Sequence, residues 1–172
     1  MKQKNNSEYS LFLALGSNLG ERERNIEKAY NSIEKQIGRI SSKSAFFYSA
    51  PEGFKSKNNF INTVCEVKTI LDIYEAFLIS QGIECQLGRV DKSGKNGFND
   101  RIIDIDLILA GDMTVSIENL IIPHPRFHKR DFVLTPLYEI APEIIHPLFN
   151  KTIRELKYEY DQYSKTENNI NN

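Results

Sequence analysis

Two alternating or wholly apolar runs, helical stripes set after each, and a carboxylate pair inside a further apolar run together predict an α+β fold. Helices are expected to pack on a mostly antiparallel sheet. The chain has 172 residues, which suits one domain of ordinary size with its own core. Tyr9 to Gly16 is apolar almost throughout and ends in glycine, as a central strand buried on both faces does. The turn residues LGSNLGERERN follow, and then Ile26, Ala29, Tyr30, Ile33 and Ile37 recur at helical spacing, with Gly38 as a stop. Ala45 to Tyr48 reads as a short aromatic strand, broken by Pro51 and Gly53 and followed by the polar loop EGFKSKNN. Phe60 to Thr69 alternates as a strand. Asp72 with Glu75 has capping-box spacing and opens a second helix with the stripe Ile73, Tyr74, Phe77 and Leu78, ended by Gly88. A loop rich in Lys, Gly and Asn, from Arg89 to Asp100, leads into RIIDIDLILAGD. Pro123 and Pro125 mark a rigid turn before a helix in the Asp131–Ala141 region.

The order β-α-β-β-α-β is the split-βαβ arrangement, a ferredoxin-like sandwich, here with a C-terminal extension. Residues 1–160 are expected to form a single domain. The segment 161–172 is too polar to bury and is expected to be disordered.

A formal net charge of −1 advertises neither nucleic acid nor an anionic membrane as a partner. No apolar run approaches the roughly 20 residues that span a bilayer, and MKQKNNSEYS has no apolar signal core. A cytoplasmic protein is expected. Cys65 and Cys85 lack metal-ligand or redox spacing and both read as small buried residues of a reduced compartment.

The run from Arg101 to Asp112 carries the chemistry. Side chains at i and i+2 of a strand leave the same face, so Asp104 and Asp106 point one way while Ile103, Ile105 and Leu107 point into a core. Two carboxylates about 6–7 Å apart, from two rises of roughly 3.3 Å, can share hard cations. Arg101 adds a fixed charge suited to a phosphate. The pattern predicts a Mg²⁺-dependent phosphoryl-transfer site. Alternation of this kind also marks a plain half-solvated strand, and the neighbours decide between the two.

Those neighbours include two local basic groups. Arg89, Lys92, Lys95 and Arg101 flank or occupy one loop, and Arg126, Lys129 and Arg130 crowd a second segment with His124 and His128. Neither GxxxxGK[ST] nor GxGxxG is present, although SGKN at Ser93–Asn96 resembles the end of the former. Gly16 and Gly20 could let backbone approach a ligand or simply make a tight turn. Phe60 and Asn62 share a strand face, an aromatic platform beside a carboxamide that suits a flat hydrogen-bonding heterocycle. His124 is mounted between two prolines, whereas His128 and His146 read as surface or structural residues.

From Leu11 to Pro147 the chain resembles the 6-hydroxymethyl-7,8-dihydropterin pyrophosphokinase family of folate biosynthesis. LGSNLG, FFYSAP, FIN, LGR, RIIDIDLILAGD, IPHPRFHKRDFVLTPLYEIAPE and a final HP carry the likeness, in family order and spacing. The resemblance implies transfer of an intact diphosphoryl group from ATP to the pterin hydroxymethyl, with release of AMP. It implies that Asp104 and Asp106 hold two Mg²⁺ ions and that Arg89 and Arg101 clamp the phosphates. Phe60 and Phe132 would stack on the pterin, Asn62 would bond its edge, and Pro51 and Gly53 would meet it through their backbone. Gln81, Glu84, Lys92, Phe98, Leu107, His124 and Arg130 would line the ATP site. The segments Glu52–Asn59 and Arg89–Asp100 would close over bound substrates. Many members carry Trp-Gly-Pro before the arginine, where this chain has Phe98-Asn99-Asp100, so Phe98 would stand in for the Trp. Asp91 stands where some members are basic, and Glu52 and Gly53 replace a more apolar pair.

A soluble monomer acting on ATP and the hydroxymethylpterin is therefore expected, with no nucleic-acid or membrane partner. The alternative is a non-catalytic ferredoxin-like nucleotide- or pterin-binding module, which would need no divalent ion and leaves the aspartate pair unexplained. A metal-dependent nuclease would call for a more extended basic groove.

Overall fold

A computed structural model describes residues 7–88 and 100–170, with side chains described as far as 166. In chain order the elements are β1 (Tyr9–Ser17), α1 (Arg22–Gln36), β2 (Arg39–Lys43), β3 (Phe47–Ser49), β4 (Phe60–Thr69), α2 (Ile73–Gln86) and β5 (Asp104–Ala110). There follow β6 (Val115–Ile117), β7 (Leu120–Ile122), a 3₁₀ turn at Phe127–Lys129, α3 (Asp131–Ile140), β8 (Ile145–His146), β9 (Lys151–Thr152) and α4 (Ile153–Ile170).

The main sheet runs β2-β4-β1-β5, with β3 continuing along β4 beyond β2, and every pairing in it is antiparallel. β2 pairs with the far half of β4 and β3 with its first residues, so two short strands share one edge position. This is the ferredoxin-like arrangement that the order of elements predicts. The sequence shows the aromatic edge piece but not β2. RISSK is polar and alternates exposed with half-buried, so it has no apolar signal of its own.

Both faces of the sheet are covered, which explains the unbroken apolar run of β1. Leu11, Leu13 and Leu15 pack with Ile26, Ala29 and Ile33 of α1 and Ala76 and Ile83 of α2. Phe12 and Ala14 face the other way, into a second core with Val133, Leu134 and Leu137 of α3 and Ile153 and Leu156 of α4. On β5, Ile105 and Leu107 join the first core, as Ile103 does just before the strand. A register shift then leaves Leu13 opposite Leu107 and Phe12 opposite Leu109, so Ile108 is an extra residue and both Ile108 and Leu109 enter the second core.

α2 departs from the expected stripe. Tyr74 and Leu78 are 45% and 49% exposed, and the buried face is Ala76, Ser80, Ile83 and Glu84. Small residues let this helix lie close to the sheet, which a count of large apolar residues misses. Its start is as predicted, the Asp72 carboxylate accepting from the Tyr74 amide at 3.0 Å. Cys65 is buried, whereas Cys85 is exposed on α2, contrary to expectation.

The C-terminal extension is more ordered than its polarity predicts. β8 and β9 form a hairpin, and α4 continues to Ile170, so residues 161–170 are helical rather than disordered. Ile153 and Leu156 dock the first turn, and a Lys157–Asp161 ion pair bridges one turn of the helix. His146 is buried and stacks between Phe127 at 5.5 Å and Phe149 at 4.0 Å, with the His128 ring edge-on to Phe149. Its Nδ1 accepts from the amides of Leu148 and Phe149, so it holds the β8–β9 turn. Burial lowers the pKa of both His128 and His146. The folded state therefore binds fewer protons than the unfolded chain near pH 6, and this stability is lost as pH falls through the ordinary histidine range. The urea midpoint should be lower at pH 5.5 than at 7.5. An equal midpoint would show that these rings titrate normally.

Candidate active site

Three strands build the floor of a cleft. Gly16 on β1 lies opposite Asn62 on β4 and opposite Asp104 on β5, and in the next row Ala14 lies between Val64 and Asp106. Small residues on the central strand thus leave a trough between a carboxamide on one side and two carboxylates on the other. A Cβ at Gly16 would crowd the floor, standing 3.1 Å from Asn62 Oδ1 and 3.6 Å from the Phe60 ring. Beyond the floor the cleft is lined by Ser49, Ala50, Glu52 and Phe54 on one wall and by Arg101, Arg130 and Phe132 on the other.

The Asn62 amide group donates to Ser49 Oγ at 3.0 Å and to the Phe47 carbonyl at 3.3 Å, which fixes its plane and leaves Oδ1 over Gly16. Phe54 meets Phe60 edge to face, with ring centroids 6.2 Å apart. Arg130 lies over the Phe132 ring at 5.7 Å. Arg101 bonds Asp104 Oδ2 at 2.7 Å and sits 5.9 Å above the Phe60 ring, so a guanidinium bridges the aromatic and carboxylate sides.

A second cleft opens along the outer edge of β5, which is the end strand of the sheet. Phe77, Ile105, Asp106, Leu107, Leu120, Ile121 and His124 are among its lining residues. His124 is set there by its own amide, which donates to the Ile108 carbonyl at 2.9 Å, and its Nδ1 accepts from the Arg126 amide. Burial, with Arg130 and Arg126 adding, lowers its pKa to about 4. The ring is therefore neutral at pH 7, and with Nδ1 accepting, its proton resides on Nε2. Asp106 lines both clefts.

Three of the candidate residues have a different setting. Glu84 is 1% exposed and its Oε1 accepts from the Ile105 amide at 2.7 Å, so it ties α2 to β5. Pro51 and Gly53 lie in the cleft-wall segment, but the lining there comes from Ala50, Glu52 and Phe54. Gln81 is half-buried one turn before the end of α2. Arg89, Lys92, Lys95 and Phe98 lie outside the described residues.

The donor set suits a hard cation. Among the described residues no cluster of three or more His, Cys, Asp or Glu is placed to hold a metal. Two carboxylates on one strand face, in a cleft also lined by Arg101 and Arg130, match the way Mg²⁺ is held, through one or two carboxylates with waters and substrate phosphates.

Residues 12–142 match the profile of the 7,8-dihydro-6-hydroxymethylpterin-pyrophosphokinase (HPPK) family. The chain belongs to this family. It is 38% identical over 138 residues to the 2-amino-4-hydroxy-6-hydroxymethyldihydropteridine pyrophosphokinase of Porphyromonas gingivalis, covering 80% of this chain and 93% of that protein. The enzyme of the same name from Aquifex aeolicus is 37% identical over 150 residues, covering 87% of this chain and 91% of the relative. The folic acid synthesis protein FOL1 of Dictyostelium discoideum is 38% identical over 159 residues, covering 91% of this chain, and this chain spans only 24% of its length. In structure, the HPPK-DHPS of Plasmodium falciparum superposes with a TM-score of 0.78 at 19% identity, covering 98% of this chain and 46% of that one, which shows the shared fold.

The matched region spans the LGSNLG turn, β4 and the aspartate strand, the elements from which both clefts are built. What the sequence did not reveal is how the cleft wall is held. Asn18, 2% exposed, and Asp100 form its anchor, and neither carries a catalytic signature. A buried polar side chain inside a glycine turn was the only signal available.

Proposed function

We propose that the chain transfers the diphosphoryl group of ATP to the hydroxymethyl oxygen of 6-hydroxymethyl-7,8-dihydropterin, giving AMP and the pterin diphosphate, as a monomeric cytoplasmic enzyme of folate biosynthesis. The observation that carries this reading is the meeting, at Asp106, of a cleft lined by Phe54, Phe60 and Phe132 with a second cleft lined by Leu107 and His124.

The pterin enters between Phe60 and Phe132, and Asn62 Oδ1 accepts from its ring edge. ATP lies in the second cleft against Leu107, with its phosphates reaching Asp106. The hydroxymethyl oxygen attacks the β-phosphorus, the bond from that phosphorus to the α,β-bridging oxygen breaks, and AMP departs with that oxygen. The hydroxyl proton passes to solvent. Such transfer depends on in-line placement and charge neutralisation more than on a strong protein base. Asp104 and Asp106 would hold two Mg²⁺ ions, which supply neutralising charge to the phosphates and acceptor oxygen. Arg101, which pairs with Asp104 in the ligand-free protein, exchanges that carboxylate for phosphate oxygens. Arg130, which lies over the Phe132 ring, approaches from the same wall, and the neutral His124 donates its Nε2–H to a phosphate oxygen. Arg89, Lys92, Phe98, Gln81 and Glu84 are carried over as nucleotide-side residues by family likeness.

Incubating the protein with ATP, Mg²⁺ and the hydroxymethylpterin should give AMP and diphosphorylated pterin, and chelation should stop it. ADP as the product would mean transfer of a single phosphoryl group. Binding of ATP without either product would favour the binding-module alternative. Gly16→Ala should raise the pterin dissociation constant, by up to about tenfold, since the new methyl crowds Asn62 Oδ1, the atom that accepts from the ring edge. Unchanged pterin fluorescence titrations would place the ring elsewhere.

A further inference from the structure

We propose that Asp100 is a positioning residue that ties segment 50–59, one wall of the aromatic cleft, to the β1–α1 turn and to the main chain that carries Arg101. The inference rests on the pterin-kinase reading of that cleft.

The Asp100 carboxylate accepts from two directions, Oδ1 from Asn18 Nδ2 at 2.6 Å and Oδ2 from Asn58 Nδ2 at 2.8 Å. Asn18 is in turn locked to the next residue, its Oδ1 accepting from the Arg101 amide at 2.7 Å and its own amide donating to the Arg101 carbonyl at 3.1 Å. Asn18 Nδ2 also reaches the Asn58 carbonyl at 3.3 Å. One carboxylate therefore joins a buried turn, a surface segment and the approach to β5. The Ser56 hydroxyl, the Asn18 and Asn58 amides and the Arg101 charge hold its carboxyl below the usual range, so these bonds are charge-assisted at any physiological pH.

The wall so held matters to the cleft. Glu52 and Phe54 line it, and Phe54 packs edge-on against Phe60, the platform residue. Segment 50–59 is otherwise polar and mostly exposed, and a second tie, Arg22 to the Asn59 carbonyl at 2.7 Å, lies at its solvent-facing end. Releasing Asp100 should let the wall move away from Phe60 without disturbing the nucleotide cleft across β5.

The test uses Asp100→Ala, Asn58→Ala, the double variant and Asp100→Asn, with substrate kinetics and hydrogen exchange of the ligand-free proteins. Asp100→Ala is expected to raise the pterin KM about tenfold, leave the ATP KM within about twofold, and speed amide exchange across residues 50–59. Asn58→Ala should act in the same direction, the double variant should be no worse than Asp100→Ala, and Asp100→Asn should fall between it and wild type. Losses that add, a KM that rises equally for both substrates, or faster exchange with an unchanged pterin KM would each overturn the proposal. If wild-type protein turned over no pterin, the function would fail on its own, and unaltered exchange in Asp100→Ala would separately remove the tether.

Discussion

Asp106→Ala should lower the rate of AMP formation by about 10³-fold or more, the scale that a charge-neutralising group contributes to phosphoryl transfer. Asp106 is the residue shared by the two clefts, so under the proposed function its loss would remove a carboxylate at the point where donor and acceptor would meet. The side chain is half-buried on the open end of a sheet face, and its truncation leaves no cavity in either core. The melting temperature should therefore stay close to that of wild type. Asp106→Asn keeps the volume but not the charge, and should be nearly as inactive. Turnover within tenfold of wild type in either variant would remove the carboxylate pair from the chemistry.

The second large effect is on stability. Gly38→Ala places a Cβ 2.2 Å from the Lys68 carbonyl oxygen and 3.1 Å from its carbon. Both are backbone atoms of β4, so no side-chain rotation relieves the overlap. The Ile37 carbonyl just before it accepts from Thr69 Oγ1 at 2.7 Å, which fixes the end of α1 against the end of β4. Separating them should cost about 3 kcal/mol and lower Tm by about 6–12 °C. Gly82 is the control. It lies inside α2 with open space around the position of a Cβ, so Gly82→Ala should stabilise by roughly 0.5–1 kcal/mol. Equal thermal stability of the Gly38 and Gly82 variants would contradict the close approach of α1 to β4.

The sequence made the sheet legible where apolar residues had to be continuous or alternate. β1, β4 and β5 were read correctly because each must fill one core or two, and the facing of Asp104 and Asp106 followed from period two alone. It gave no sign of β2, whose residues touch solvent on alternate positions, nor of the small β6–β7 hairpin. The polar stretch beyond Tyr160 looked unable to fold, but a helix already docked by Ile153 and Leu156 can extend outward at little further cost in nucleation.

The site was legible in the same uneven way. Phe60, Asn62 and the two aspartates share one cleft, as their strand positions required, and Arg101, just ahead of β5, joins them. His124 was singled out for its flanking prolines and does stand in the second cleft beside Asp106. Glu84 could not be placed by spacing, because a carboxylate at a helix end reads the same whether it faces a nucleotide or caps a strand amide. The Asn18–Asp100–Asn58 anchor spans 82 residues between its first two members, and period arguments do not reach that far. Asp100 stood out only as a substitute for a family proline, with no hint of the bonds it makes.

Whether the β5 carboxylates hold the metal ions between the two substrates can be read from manganese binding, followed by electron paramagnetic resonance with a non-hydrolysable ATP analogue and the pterin present. Two Mn²⁺ ions per wild-type chain are predicted, with both Asp104→Ala and Asp106→Ala losing them while remaining folded. Two ions bound as tightly in both variants as in wild type would contradict that role of the carboxylates.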